Sequence, residues 1–288
     1  ADWAMPGRES GEGAQRLSGA VVAIGFPVGT FLLTKMLLRK LPRFLAIVAE
    51  AVLMSAALAS RSLYEQAGHV EEGMVIDIEQ AREAVAGMVG RDTEELDGDG
   101  IIRAAVESIA ENANDGVIAP LFYGMIGGAP LALAYKMVNT LDSMIGYRDE
   151  QYRYFGWAAA VLEDAAGFVP ARLTALSAAA LSPLAGGSAA GALAAWRSDA
   201  RRHDSPNAGV CESVYAGTLG VRLGGASYYS GMEVNKPFMG EAHGKPEFED
   251  IGRAARLMYA SAGLVLTAGT LIRFGIATAR VLRRWRDR

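Results

Sequence analysis

A chain of 288 residues with a formal net charge of −4 lacks the basic footprint that nucleic acid demands, and it is long enough for one large domain or two small ones. One cysteine, Cys211, excludes a disulfide framework, and the three histidines at 69, 203 and 243 show no zinc-ligand spacing. A hydrophobic fraction of 51% beside 21% charged residues points to membrane helices joined by substantial polar segments.

Residues 1–16 form a polar, Gly-rich opening without the layout of a signal peptide, a segment expected to stay disordered. Residues 17–288 are expected to make one membrane-embedded domain with polar inserts at about 61–116 and 197–250. The first apolar stretch, Leu17 to Leu38, suits the roughly 20 residues that a bilayer core requires; the second, Phe44 to Ala59, is short for a full crossing. Arg39, Lys40 and Arg43 punctuate the turn between them. A third, Val117 to Tyr135, contains Pro120 and several glycines, which a membrane bundle tolerates. An Ala-rich region from Trp157 to Trp196 and a last stretch, Leu257 to Ala277, complete five candidates, so the fold expected is an all-α, polytopic membrane bundle with polar helical and loop segments. If all five cross, the basic segments at 37–43, 136–153 and 280–288 share one side, as the positive-inside rule favours. A re-entrant segment would change that parity.

The polar segment Arg61 to Gly116 carries fourteen acidic against four basic residues, with helical spacing in Ile78 to Val89 and Ile101 to Ile109. Arg197 to Asp250 is rich in Gly, Pro, Ser and Asn, which signals turns rather than long helices. Gly224-Gly225 suits close backbone packing, and no Walker or dinucleotide motif is present.

The sharpest local pattern is Glu107, Glu111 and Asp115 at i, i+4 and i+8, three carboxylates on one helix face. Like charges at that spacing cost roughly 0.2–0.5 kcal/mol per pair, which a hard divalent cation such as Mg²⁺ would offset. A solvated acidic face is the competing interpretation, although an apolar span begins at Val117 and Asn112 adds an amide. Asn139, Asp142 and Arg148 follow the third stretch, either as a polar helix end or as a pocket wall. Glu163, Asp164 and Arg172 interrupt an apolar run, where ionisable groups are functional by default, with an Asp164–Arg172 ion pair as the structural alternative. The run from Arg201 and Arg202 through His203, Ser205 and Asn207 to Gly209 has phosphate-donor composition and exposed turn amides.

Together these segments resemble the adenosylcobinamide-phosphate synthase family of cobalamin biosynthesis. The likeness runs from Glu107 to Phe122, Tyr135 to Tyr147, Phe155 to Ala160, Pro170 to Thr174, Ser205 to Gly209 and Ala216 to Gly225, with Arg61 and Arg91-Asp92-Thr93 also fitting. The resemblance implies a multi-pass ligase of the cell (inner) membrane. It would join adenosylcobyric acid to aminopropanol or its phosphate, with ATP as co-substrate and Mg²⁺. In that scheme Glu107, Glu111 and Asp115 hold the metal, and Asp142 acts with them near the phosphates. Asp164 deprotonates the amine, Arg172 neutralises phosphate, and Arg61, Asn112, Asn139, Arg148, Arg202, His203, Ser205 and Asn207 bind substrate or nucleotide. The partners implied are the corrinoid, the amino alcohol, the bilayer, and either further copies or other membrane enzymes of the pathway. Two departures stand out: the family's opening Asp-Pro and His-Pro-Val motifs are not found, and Glu163-Asp164 and Gly167 replace a usual Asp-Asp and Asn. The alternative of a different class is a non-catalytic scaffold or corrinoid-binding subunit.

Overall fold

The computed structural model describes residues 11–147, 150–240 and 243–286. Helix α1 (Glu12–Lys40) is followed after a short basic turn by α2 (Arg43–Ala57), and then by α3 (Ser60–Ile76) and α4 (Ile78–Ala86). The first helix starts at Glu12, so the end of the polar opening is helical. On α1 and α2 the apolar side chains Leu17, Val21, Ile24, Leu32, Phe44, Ile47 and Val52 face outwards, an arrangement that water penalises and lipid accepts. The same holds for Leu271, Ile272 and Phe274 of the last helix, α10 (Glu249–Arg286). Among the described residues, five helical stretches are long and apolar enough to cross a membrane, and the chain is a multi-pass helical membrane protein.

One of those stretches, Gly98–Ile145, has 48 residues and as a straight helix would extend about 72 Å, far beyond any bilayer. It comprises α5 (Gly98–Asn112), a π-helical turn (Ala113–Ile118) and α6 (Ala119–Ile145), and it reverses at Gly128, where φ is +69°. The reversal is sharp: Tyr123 and Tyr135, about 18 Å apart on a continuous helix, stack with ring centroids 5.1 Å apart. The second arm runs back beside α1, where Leu141 and Ile145 pack with Val22, Ala23 and Phe155.

This reversal corrects the expected charge layout. Gly19 of α1 abuts the Phe155 carbonyl, and from there to Lys40 the helix rises about 31 Å, a bilayer thickness. The segment after the second arm therefore lies near the opposite end of α1 from Arg39–Arg43, and the three basic segments do not share one side. Met125, beside Gly128, meets Gly269 and Arg273 of α10, so only the first and last basic segments lie towards the vertex.

Helix α7 (Trp157–Leu181) passes across the open side of the hairpin. Its residues meet both arms: from the first, Tyr123 Oη donates to the Ala166 carbonyl at 2.9 Å, and from the second, Tyr135 Oη donates to Glu163 Oε1 at 3.4 Å. The segment expected to be mainly turns instead contains α8 (Ala189–Asp199), which starts before it, and α9 (Ala208–Leu219). All of α9 is buried, Glu212, Ser213 and Thr218 included, so its sequence lacks the polar outer face and the amphipathic period that mark a surface helix. After it come β1 (Leu223–Tyr229) and β2 (Met232–Met239), an antiparallel pair beside the helices. Gly224 and Gly225, at φ of +88° and +90°, let β1 touch the Pro237 carbonyl and the Phe238 ring, which fulfils the close packing that glycine pairs suggest. Asp92 accepts the Ser230 and Gly231 amides at 3.0 and 2.7 Å and so fixes the hairpin turn.

Candidate active site

A pocket of about 240 Å³ opens between the two arms, α7 and the loop before α9. Glu111 and Asp115 line it from the first arm, Asp142 from the second, Glu163 and Asp164 from α7, and His203, Asp204, Ser205 and Asn207 from the loop. Four elements thus deliver six carboxylates to one space inside a membrane protein. Among the described residues, no lysine or arginine lines that pocket.

The π turn supplies part of this convergence. Its wider winding places Asp115 within the irregular turn, and such turns recur at functional sites because they re-aim a side chain without ending the helix. Asn114 is buried there and donates to Asp115 Oδ1 at 2.7 Å. Gly116 lies against Ala59, whose amide donates to the Gly116 carbonyl at 2.8 Å. In α7, Gly167 allows Asn207 to approach: a Cβ at that position would lie 2.5 Å from Asn207 Nδ2. Asn207 Nδ2 donates to the Asp164 carbonyl at 3.0 Å, while its Oδ1 accepts from Arg172 at 2.9 Å.

Glu107 belongs elsewhere. It is buried one helical turn below Glu111, ion-paired with Arg91 and accepting the Gly224 amide at 2.7 Å. The expected three-carboxylate edge is therefore split: Glu111 and Asp115 line the pocket, while Glu107 ties α5 to the β-hairpin. Arg61 is exposed and pairs with Glu65 at 2.7 Å; Asn112 donates to the Ser108 carbonyl at 3.0 Å; Asn139 accepts from Lys136 at 3.3 Å. Arg202 stands 3.9 Å from Asp199, and none of these four lines the pocket. Arg148 lies outside the described residues. Arg172 bonds to Asn207 and to the Phe168 carbonyl, with its guanidinium 3.7 Å over the Phe168 ring, so the i, i+8 pair with Asp164 does not form.

His203 links the pocket to a buried charge network. Its Nδ1 lies 3.0 Å from the Ser205 amide and 3.3 Å from the Ser205 carbonyl, and its Nε2 lies 3.7 Å from Glu212 Oε1. Burial, then the Lys236 ammonium, hold His203 below the usual imidazole value. Burial and the Glu107 carboxylate raise Glu212 to about 8. At neutral pH the pair is therefore largely uncharged, which removes much of the cost of placing it inside the protein.

Sequence reasoning passed over Asp204 and, among candidate site residues, Glu163. Glu163 is buried and accepts from Tyr135 Oη at 3.4 Å; its interruption of an apolar helix is the signal that marks it.

The comparisons with known proteins bear on this arrangement. The family model described as CobD/Cbib protein matches residues 3–258. The chain belongs to the CobD/CbiB family. Among its relatives, the cobalamin biosynthesis protein CobD of Geobacter metallireducens is 47% identical over 227 residues, 78% of this chain and 71% of that protein. The protein of the same name from Mycobacterium tuberculosis H37Rv is 43% identical over 84% of this chain and 77% of its own length. The cobalamin biosynthesis protein CbiB of Salmonella typhi is 40% identical over 93% and 85%. No solved structure matches this CobD/CbiB chain significantly. Family membership gives it a role in cobalamin biosynthesis.

The oxygen-rich donor set of the pocket suits a hard divalent cation such as magnesium, which takes carboxylates in preference to nitrogen or sulfur. Among the described residues, no three acidic, histidine or cysteine side chains are already gathered to hold a metal. The fit is one of donor chemistry: Glu111, Asp115 and Asp142 are the residues that would hold the ion.

Proposed function

We propose that this CobD/CbiB chain is an ATP-dependent amide ligase that joins a side-chain carboxylate of adenosylcobyric acid to aminopropanol or aminopropanol phosphate at the inner membrane. The observation that carries this reading is the convergence of Glu111, Asp115, Asp142 and Glu163 in a pocket beside an arginine-lined cleft, with His203 and Asp204 common to both. A cluster of acids alone repels an anionic substrate. Beside a basic cleft it becomes a two-pole site for a metal–polyphosphate.

The chemistry proceeds in two balanced steps. A carboxylate oxygen of the corrinoid attacks the terminal phosphorus of ATP; an O–P bond forms, the bridging P–O bond breaks, and ADP leaves with the electron pair. The amine nitrogen then attacks the acyl carbon. A C–N bond forms, the C–O bond to phosphate breaks, inorganic phosphate departs, and the nitrogen loses a proton to Asp164. Bound magnesium would supply charge neutralisation at the phosphates. Arg172, held by Asn207, presents a positive charge beside the pocket, where fixed charges aimed at a developing anion are the largest catalytic effect. Ser205 and Asn207 orient the reacting groups at the pocket wall.

The test is amide formation by purified protein in nanodiscs supplied with adenosylcobyric acid, aminopropanol or its phosphate, ATP and magnesium. Product should require all components, and Glu111→Gln should lower turnover by about 10²-fold, typical of lost electrostatic stabilisation. Corrinoid binding without any ATP-dependent product would replace the ligase with a binding subunit.

A further inference from the structure

Next to the acidic pocket lies a larger cleft of about 860 Å³, formed by α7, α8 and the loop leading to α9. Arg172, Arg197 and Arg201 line it, and Leu176, Leu193 and Trp196 provide an apolar wall. Asp204 is the one acidic side chain among its lining residues. Among the described residues, Arg172 bonds only to neutral oxygens, those of Phe168 and Asn207. Among the described residues, Arg197 and Arg201 make no hydrogen bond or ion pair. Three guanidiniums facing one cleft with so little counter-charge repel one another and attract an anion with several negative charges. Planar guanidinium forks match phosphate oxygens two at a time.

We propose that this cleft binds the nucleotide: the arginines take its polyphosphate, the wall around Trp196 takes its base, and the terminal phosphate lies where the cleft meets the acidic pocket at His203 and Asp204. This assignment rests on the ATP-dependent reading above and adds Trp196, Arg197 and Arg201 to it. It also divides the labour in space. The nucleotide enters by a basic groove outside the hairpin, and the corrinoid carboxylate and amine meet it in the acidic pocket between the arms. The composition of the wall separates this occupant from a free phosphate, which would gain nothing from Trp196 and two leucines, whereas a purine ring buries apolar surface there.

Binding of ATP, AMP and inorganic triphosphate is measured by calorimetry on full-length protein in nanodiscs. ATP and triphosphate should bind, with AMP much weaker. The Arg197→Ala/Arg201→Ala double variant should lose at least roughly tenfold in ATP affinity, about 1.4 kcal/mol, and Trp196→Ala should weaken ATP but not triphosphate. Both arginines are solvent-exposed, so their removal leaves the core intact, which an unchanged melting temperature checks. Asp142→Asn, in the pocket, should keep ATP affinity while losing turnover. If the double variant binds ATP as well as the wild type and product formation still needs ATP, the nucleotide sits elsewhere and the ligase reading survives. Loss of adenosylcobyric acid binding with ATP binding retained would hand the cleft to the corrinoid and overturn the assignment. If the wild type neither binds ATP nor makes ATP-dependent product, both readings fall together.

Discussion

The Glu50 carboxylate accepts the Ala129 amide at 3.3 Å, so a side chain of α2 caps the first turn of the returning arm. Across the vertex, Arg273 of α10 donates to the Met125 carbonyl at 2.6 Å, covering the end of the outgoing arm. Each charge has the sign that the adjacent helix end attracts: negative at exposed amides, positive at exposed carbonyls. Within a membrane protein these groups have little water to turn to, so the two caps permit the reversal.

Removing the cap should therefore loosen the site without touching it. Glu50→Ala is expected to cost about 0.5–2 kcal/mol, the usual range for a lost N-cap. Gly128→Ala should cost more, because φ is +69° and a Cβ would overlap Glu50 Oε1. Combining the two relieves the overlap but not the backbone strain, so the double variant should remain less stable than Glu50→Ala. Thermal unfolding in detergent gives the ranking; a Gly128→Ala protein as stable as the wild type would mean that the reversal does not depend on this conformation.

A second prediction separates Glu107 from its neighbours on the same helix edge. Breaking its buried pair with Arg91 should destabilise the protein by about 3–5 kcal/mol, because one charge is left without a partner. Glu107→Gln should therefore reduce the folded yield, yet in the folded fraction the magnesium concentration for half-maximal turnover should match the wild type. Asp115→Asn should do the reverse, leaving yield nearly normal and raising that concentration. A magnesium titration on both variants decides; a shift with Glu107→Gln would return this residue to the metal site.

The contrast between these acids shows where sequence spacing stops being informative. The pattern Glu107, Glu111 and Asp115 fixes a shared helix edge, and Asp142, Asp164, Ser205 and Asn207 stood out as polar groups beside or within apolar segments; the fold brings all but Glu107 to one pocket. What surrounds each acid is decided by chain from elsewhere: Arg91 from the loop after α4 and Gly224 from the β-hairpin. The reversal was equally hidden. Pro120 and the glycines, Gly128 among them, appear as tolerated breakers in one span until Glu50 and Arg273, 79 and 148 residues from their partners, are seen at the vertex. Helix α9 escaped for the opposite reason, since burial on every side erases periodicity.

The network behind the pocket makes stability depend on pH in a definite direction. Burial lifts Glu212 from the ordinary 4.5 to about 8, with Glu107 adding to the shift and Lys236 opposing it. Glu111 also raises it and Arg91 lowers it, while His203 Nε2 stands 3.7 Å away. Between pH 4.5 and 8 the folded protein therefore holds a proton that the unfolded chain has released. Stability from this group is greatest below that window and falls as pH rises through it. Glu212→Gln, which stays neutral, should flatten the slope and raise Tm at pH 8, by roughly 2–4 °C per kcal/mol recovered. Melting curves across the window check this; parallel slopes for the two proteins would show that Glu212 is already ionised in the fold.

Gly167 of α7 controls how Asn207 is held. Asn207 bridges α7 and Arg172 by donating to the Asp164 carbonyl and accepting the guanidinium, and it reaches that position only because residue 167 has no side chain. A methyl group there would lie 2.5 Å from Asn207 Nδ2 and 3.2 Å from Glu163 Oε1, contacts that neither the buried amide nor the helix can absorb without moving. Gly167→Ala should therefore displace Asn207, release Arg172 and lower kcat more than it raises KM for ATP, since the lost interaction positions charge rather than binding substrate uniformly. The substitution also favours the helix by about 1 kcal/mol, so the protein should remain folded. Pairing Gly167→Ala with Asn207→Ala tests the route: once Asn207 is gone, the added methyl should have little further effect on kcat. Fully additive losses in the double variant would show that Gly167 acts on turnover by another path.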